Sequence, residues 1–560
     1  MLGAKPTTLV EALATLPRGQ ERGHRFRSLD GSEHFYPWQD IERESHRRGA
    51  LLRAQGLGSG DRLAIVVADP HHFVLSFVGA VIAGLVPVPI YPRASFKAKN
   101  AYVETVSHIV RAAGARALLT TAATKPVVEE VLAQDVGLEK VLVLEDFLED
   151  SAPAIDFPVP AADDLCFLQF TSGSTSMPKG VMVTHGSLAA NADAFLGPGG
   201  LDTHPEDVAV TWLPLFHDMG LIGFVLGTIL RDIQTVLLPT EAFARRPSMW
   251  MQTMHEVRGT ITFAPNFAYG LAAKRTRDRD LEDMDLSCIR VAGCGAEPIN
   301  AQVLRSFAER FAPVGFNTRA LMPAYGMAES TLAISFHPRG TELKTDIVDA
   351  ARLSAGRAEP ATSASADTSL EVVSCGVPFE GHELKILGDD GQALGPRQVG
   401  EVLSRGPSVT AGYYRNPEAT AESFKHGWLH TGDLGYLADG TLYICGRAKD
   451  LIIIRGANHH PQDIEWAVSD VEGVRRDNVV AFSVPIEGEE QLVIAAEANS
   501  RDAAEVQKRI ATRVAETLGL RVAKVAVVRV GSLPKTSSGK AQRRRTRALY
   551  LSGELEEHPT

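Results

Sequence analysis

The chain has no apolar run long enough to cross a bilayer. The longest, residues 73–86, has 14 residues and then meets Pro87 and Pro89; a spanning helix needs about 20. That run is expected to form a buried helix followed by a strand. Residues 1–18 lack the apolar stretch of a secretion signal. Cysteine is scarce: Cys166, Cys288, Cys294, Cys375 and Cys445, none in a CxxC pair. Zinc ribbons and dithiol redox sites are therefore not expected, and reduced thiols in a cytoplasmic protein are. A basic excess is also missing. The net charge of −11 excludes a chain-wide nucleic-acid surface.

With 560 residues the chain exceeds one core, because single cores stop growing near ~250–300 residues. Residues 1–160 alternate helical and strand-like patterns, and residues 160–345 do so again. This alternation predicts an α/β fold with two αβ-layered units and mostly parallel sheets. Residues 354–370 (SAGRAEPATSASADTSL) have few large apolar side chains and are expected to form a mobile surface loop. Short strands follow at 384–387, 402–404 and 441–445, which suggests a small barrel-like unit. Asn416-Pro417-Glu418 reads as a helix start, with Asn as cap and Pro at the first position. Beyond 446–450 lies a smaller αβ unit with a basic tail, 535–547.

Residues 168–185 (LQFTSGSTSMPKGVMVTH) carry the strongest chemical signal. A strand runs into Thr171, Ser172, Gly173, Ser174 and Thr175, and Lys179 follows. Such a turn offers backbone N–H groups, hydroxyls and a positive charge to phosphate oxygens. It is not a Walker A loop, because Pro178 stands where that motif requires glycine. His71-His72, His459-His460 and the remaining histidines outside the motifs show no metal-ligand spacing and read as surface or loop residues.

The string 170–181 resembles the phosphate-binding signature of the adenylate-forming superfamily. That superfamily comprises acyl-CoA synthetases, nonribosomal-peptide adenylation domains and luciferases. Other motifs follow in its order: 212–220 (WLPLFHDMG), 293–298 (GCGAEP), 325–330 (YGMAES), 431–433 (TGD), 446–450 (GRAKD) and 534–540 (PKTSSGK). The resemblance implies an N-terminal domain, 1–447, of two αβ-layered subdomains and a β-barrel-like subdomain. A hinge at 448–450 centred on Lys449 and a mobile α+β C-terminal domain, 451–560, complete it.

The implied reaction joins a carboxylic acid to AMP, with ATP and Mg²⁺. Two anions meet in it, so charge placed in advance is the main requirement. By resemblance, Lys540 bridges the acyl carboxylate and the α-phosphate. Glu329 holds Mg²⁺, with Thr175 a weaker second ligand. Asp433 takes the ribose hydroxyls, assisted by Arg447. Tyr325, Gly326 and Met327 face adenine from one side, and Gly295, Ala296, Glu297 and Pro298 from the other. His217 stands at the carboxylate end of the acyl pocket, for which Phe216, Phe224, Phe263 and Phe267 are candidates. The run Arg543-Arg544-Arg545 is read as a solvated face or a docking surface for an acidic carrier domain.

Three features resemble the fatty acyl-AMP ligase branch: HDMG at 217–220, RGANHHPQDIE at 455–465 and an extra stretch at 337–370. That branch implies a fatty acid substrate and transfer of the acyl group to the phosphopantetheine thiol of an acyl carrier protein. Acyl-CoA formation is the alternative. The branch also implies that the insertion restrains the domain rotation CoA needs.

Overall fold

The computed structural model describes residues 5–558 apart from 93–98, 133–135, 172–176, 363–368, 455–456, 487–488, 499–502 and 537–538. The first αβ unit is a four-stranded parallel sheet in the order Val86–Pro89, Arg62–Val66, Ala117–Thr120, Lys140–Val143. The run 73–86 behaves as its composition demands. Helix Pro70–Ile82 buries every residue from Phe73 to Ile82, and strand Val86–Pro89 follows. Two prolines fit there because the strand lies at the edge and needs fewer ladder donors.

A nine-stranded sheet forms the second unit. Its six central strands are parallel: Leu321–Gly326, Val291–Cys294, Ile261–Ala264, Val208–Thr211, Gln234–Leu237 and Gly23–Arg27. The division of the chain near residue 160 is corrected by the last of these. Gly23–Arg27, with its antiparallel neighbour Glu33–Pro37, belongs to the second sheet and not the first. The strand alternation is local, but this pairing joins segments some 210 residues apart, which no local pattern reports. Leu165–Phe170 and Gly180–Thr184 form a separate antiparallel hairpin.

The barrel-like unit is antiparallel and five-stranded, built on Glu383–Leu387, Gly400–Arg405, Trp428–Ala438 and Thr441–Arg447, with the short Phe424–Lys425. Helix Pro417–Ser423 starts as expected: Asn416 Oδ1 accepts from the Ala419 N–H. A single 3-10 turn, Ala448–Asp450, leads to the C-terminal unit. There Val474–Ile486, Glu489–Ala498 and Val522–Val528 form a mixed sheet. Helices Pro461–Ser469, Ala503–Leu518 and Arg543–Leu551 belong to the same unit.

The 337–370 stretch is a correction as far as it is described. Thr345–Asp349 pairs with Ser369–Val373, and helix Ala350–Ser354 follows the first strand. Val348, Leu353 and Ala358 are buried against Tyr436, Tyr443 and Cys445. Asp346 accepts from Arg397 at 2.9 Å and from the Tyr436 hydroxyl at 2.8 Å. Residues 354–362 are therefore held, not a free loop: Ala358 is buried, its N–H donates to the Arg397 carbonyl at 2.9 Å, and the Gly356 carbonyl accepts from the Val399 N–H at 2.9 Å. The expectation for 363–368 lies outside the described residues. Among the described residues, no helix is long and apolar enough to cross a membrane.

Candidate active site

One cavity of about 2520 Å³ runs between the large and small units. It collects Thr171, Lys179, His217, Gly295 to Pro298, Tyr325 to Met327, Glu329, Asp433, Arg447, Lys449 and Lys540. Ser172, Gly173, Ser174 and Thr175 lie outside the described residues. What is described of that loop is its two ends. The Thr171 N–H donates to the Lys179 carbonyl at 3.0 Å, which closes the base of the turn. The Pro178 carbonyl contacts His108 Nε2 at 2.8 Å.

The carboxylates are fixed by phenols and cations. Tyr325 donates its hydroxyl to Asp433 Oδ2 at 2.7 Å, and Arg447 Nε donates to Oδ1 at 3.0 Å. The Asp433 N–H caps Thr431 Oγ1 at 3.1 Å. Asp433 thus has a locked orientation while both oxygens keep lone pairs for hydroxyl donors. The guanidinium of Arg447 is held charged chiefly by Asp433. Glu329 is buried, which pushes its carboxyl up. The Tyr413 hydroxyl, donating at 2.7 Å, opposes this. The ammonium of Lys179 stands 4.8 Å over the Tyr413 ring, a cation–π contact. Tyr413 therefore links the phosphate-loop lysine to the Glu329 carboxylate. Sequence reasoning missed it, because a tyrosine in AGYYRNP carries no signal of its own.

His217 Nδ1 lies 2.6 Å from Asp218 Oδ1. The Met219 N–H approaches both, at 3.3 and 2.7 Å. One nitrogen cannot donate to Asp218 and accept from Met219 at once, so we assign the Nδ1 proton to the shorter contact with Asp218. Nε2 is then the ring atom left for substrate.

Lys540 comes from the small unit, on a loop clasped by two bonds. The Thr536 N–H donates to the Lys540 carbonyl at 2.8 Å, and the Lys540 N–H to Thr536 Oγ1 at 3.1 Å. The cleft walls desolvate its ammonium and push it down; Asp218 and Glu297 oppose that. Asp218 is itself pushed up by burial but ends below the usual range, held there by His217 and Lys540. Glu297 is pushed up to about 7 by burial. Its Oε1 accepts from the Phe267 N–H at 2.7 Å. The sequence placed Glu297 beside adenine without linking it to Lys540; the structure puts both in one cleft, where each charge acts on the other. Phe267 is a seat for the Lys540 loop as well as an apolar residue: a side chain on Gly539 would meet its ring at 3.8 Å.

Three more expectations change. Arg543 is neither a solvated face nor a docking surface. It donates to both oxygens of Glu465, at 2.8 and 2.7 Å, and to Asp450 at 3.1 Å. His460 is buried, not superficial, and burial lowers it to about 4. His71 and His72 gather with Asp69, with one ligand atom of each within 4.8 Å of the others. Arg48 Nη2 stands 3.2 Å from His72 Nδ1, and that fixed positive charge opposes a dication there.

The AMP-binding enzyme family matches residues 20–414, and the family described as Disco-interacting protein 2-like, AMP domain, matches residues 449–560. A Caulobacter vibrioides relative, provisionally named an acyl-CoA synthetase, is 39% identical over 98% of this chain and 96% of its own. The medium-chain-fatty-acid–[acyl-carrier-protein] ligase JamA of Moorena producens is 32% identical over 98% of this chain and 96% of its own. A solved structure from work on the fatty acyl-adenylate ligases of E. coli and L. pneumophila superposes with a TM-score of 0.91. It is 32% identical and covers 97% of this chain and 98% of that one.

Proposed function

The chain belongs to the AMP-binding enzyme family, and from that premise we propose that it is a fatty acyl-AMP ligase that loads an acyl carrier protein. The observation that carries this reading is the enclosure of Lys540 in one cavity with Asp433, Glu329, Tyr325 and His217.

The acid binds with its carboxylate near His217 and Lys540. A carboxylate oxygen attacks the α-phosphorus of ATP, the bond to the β-phosphate oxygen breaks, and pyrophosphate leaves. The product is an acyl-AMP mixed anhydride. Lys540 offsets the charge that gathers where the two anions meet, and Lys179 that on the departing phosphates. Asp433 and Arg447 fix the ribose, and Tyr325, Gly326, Met327 and Gly295 to Pro298 enclose the base. In the second step a phosphopantetheine thiol gives up its proton and attacks the acyl carbon; a thioester forms and AMP departs.

Mg²⁺ fits the donor set. It favours one or two carboxylates together with phosphate oxygens and water, and Glu329 is a single buried carboxylate in the wall shared with Lys179 and Tyr413. When bound, it would neutralise phosphate charge.

The turn Ala448–Asp450 serves as the hinge, with Lys449 absorbing the dihedral change between the steps. The insertion stands in the way of that rotation: its helix Ala350–Ser354 lies beside strand Ala457–His459 of the small domain. A cytoplasmic location accords with five free cysteines.

The Caulobacter relative's name keeps acyl-CoA formation as the second reading. Purified protein given ATP, Mg²⁺, a fatty acid and either CoA or holo-carrier decides between them. Acyl-carrier without acyl-CoA is expected; efficient acyl-CoA formation overturns the branch assignment.

A further inference from the structure

The cavity that holds Lys540 is also lined by largely apolar residues of the parallel strands and the segments beside them, and this part is taken as its acyl arm. Phe263, on Ile261–Ala264, lines it. In the register of the parallel pair, Phe263 stands next to Gly293. The Phe263 ring lies across that glycine. A Cβ on residue 293 would come within 2.0 Å of Cε1 and 2.2 Å of Cδ1 of the ring. No real side chain tolerates such a distance, so the ring's position depends on the absence of a side chain at 293.

The other neighbours of the ring are Phe336, at 5.5 Å between centroids, and Phe224, at 6.4 Å. Both also line the cavity. Beyond this aromatic group the lining continues to Ile261 and Ala209. Ile261 and Ala209 are paired neighbours on adjacent strands. They lie two residues from Phe263 and Thr211, or about 7 Å deeper at ~3.3 Å per residue. The aromatic group therefore divides the arm into a shallow part and a deep part.

We propose that Phe263, seated in the notch left by Gly293, sets the acyl chain length, and that the enzyme takes straight-chain acids long enough to pass it into the Ile261–Ala209 end. This rests on the fatty acyl-AMP ligase reading. A side chain at 293 pushes the ring toward the open side of the arm and closes the deep part. An acid that needs the deep part then loses contact for up to about five methylenes, each worth roughly fourfold.

The test is acid-dependent ATP–pyrophosphate exchange over hexanoate, octanoate, dodecanoate and hexadecanoate. In Gly293→Ala the ratio of kcat/KM for hexadecanoate to that for hexanoate is expected to fall by at least about tenfold, and by up to about 10³ if the whole deep part is lost. In Phe263→Ala the ratio is expected to stay or rise. The double variant Gly293→Ala/Phe263→Ala has no ring to displace and is expected to recover the hexadecanoate preference. It also decides the matter if Gly293→Ala alone does not fold, since a double variant preferring hexanoate overturns the proposal. Superimposable profiles for wild type and Gly293→Ala overturn it as well. No exchange with any acid in the wild-type protein instead overturns the reading on which it rests.

Discussion

The Phe267 N–H donates to Glu297 Oε1 at 2.7 Å, at the first turn of helix Asn266–Arg275. The Phe267 ring also stands beside Gly539 of the Lys540 loop, where an added Cβ would reach it at 3.8 Å. One residue of the large domain thus holds a carboxylate and receives the loop that brings the lysine. Glu297 is pushed up to about 7 by burial, and Lys540 is pushed down by the same cleft. Each charge is favoured by the other.

Acyl-adenylate formation should therefore rise as pH passes about 7, where Glu297 becomes anionic and helps keep Lys540 charged. Glu297→Gln is expected to remove that inflection and slow exchange several-fold at alkaline pH. The stability trend has the opposite sign. Glu297 ionises in the unfolded chain near 4.5 but in the fold only near 7. Its neutral form therefore favours the fold below about 4.5, and that contribution is lost as pH rises to about 7. A pH series of denaturation midpoints for wild type and Glu297→Gln checks this; parallel curves refute it.

Lys540→Ala should lower exchange by at least about 10²–10³, the scale for losing one preplaced donor at a charged transition state. It acts on the first step, so transfer of a preformed acyl-AMP to holo-carrier is expected to suffer less. Measuring the two half-reactions separately gives the split; equal losses would assign Lys540 to folding or to both steps.

Asp433→Asn removes the negative charge and turns one of the two oxygens that accept from Tyr325 and Arg447 into an NH2 donor. The KM for ATP is expected to rise about tenfold to a hundredfold, in line with about 1.5–3 kcal/mol for hydrogen bonds to a charged group. The KM for the fatty acid should change far less, because Asp433 lies on the nucleotide side. Initial rates over both substrates test the difference.

Local chemistry made parts of this molecule legible in its sequence. The cap at Asn416 and the helix of 73–86 are decided by neighbouring residues, and both form as read. The ordered motifs found Lys540, Asp433, Glu329 and His217, and the fold brings these four to one cavity. What stayed hidden depends on distance along the chain. Gly23–Arg27 pairs with Gln234–Leu237. Tyr413 reaches Glu329 across 84 residues. The partners of Arg543 lie 78 and 93 residues before it. Composition misled at 354–362, where Ala358 is buried with Tyr436 and Tyr443 and backbone bonds to Arg397 and Val399 hold the chain.

Arg543 stands between two carboxylates with little solvent around any of the three. Arg543→Ala leaves Glu465 and Asp450 buried without a cation, a change that costs about 3–5 kcal/mol. Lysine should restore little, since it cannot donate to both oxygens of Glu465 in one plane. Calorimetry is expected to show the small domain melting earlier in Arg543→Ala and in Arg543→Lys. An unchanged transition would mean the trio contributes nothing.

The insertion offers the sharpest test of acceptor choice. Its apolar face, Val348 and Leu353, is buried on Tyr436 and Tyr443, and Asp346 ties it to Arg397. Leu353→Asp places a charge in that contact, where the guanidinium of Arg397 is already engaged by Asp346 and the Ala358 carbonyl. The cost of burying an unpaired carboxylate exceeds what one small apolar patch can hold, so the segment should lift from the barrel. Its helix would then leave strand Ala457–His459, and the small domain would turn more freely about Lys449. Acyl-CoA formation is expected to rise from near background while acyl-AMP formation stays close to wild type. If acyl-CoA remains absent although the segment has become protease-sensitive, the insertion does not exclude CoA. The discrimination then resides in the thiol's own path to the acyl carbon.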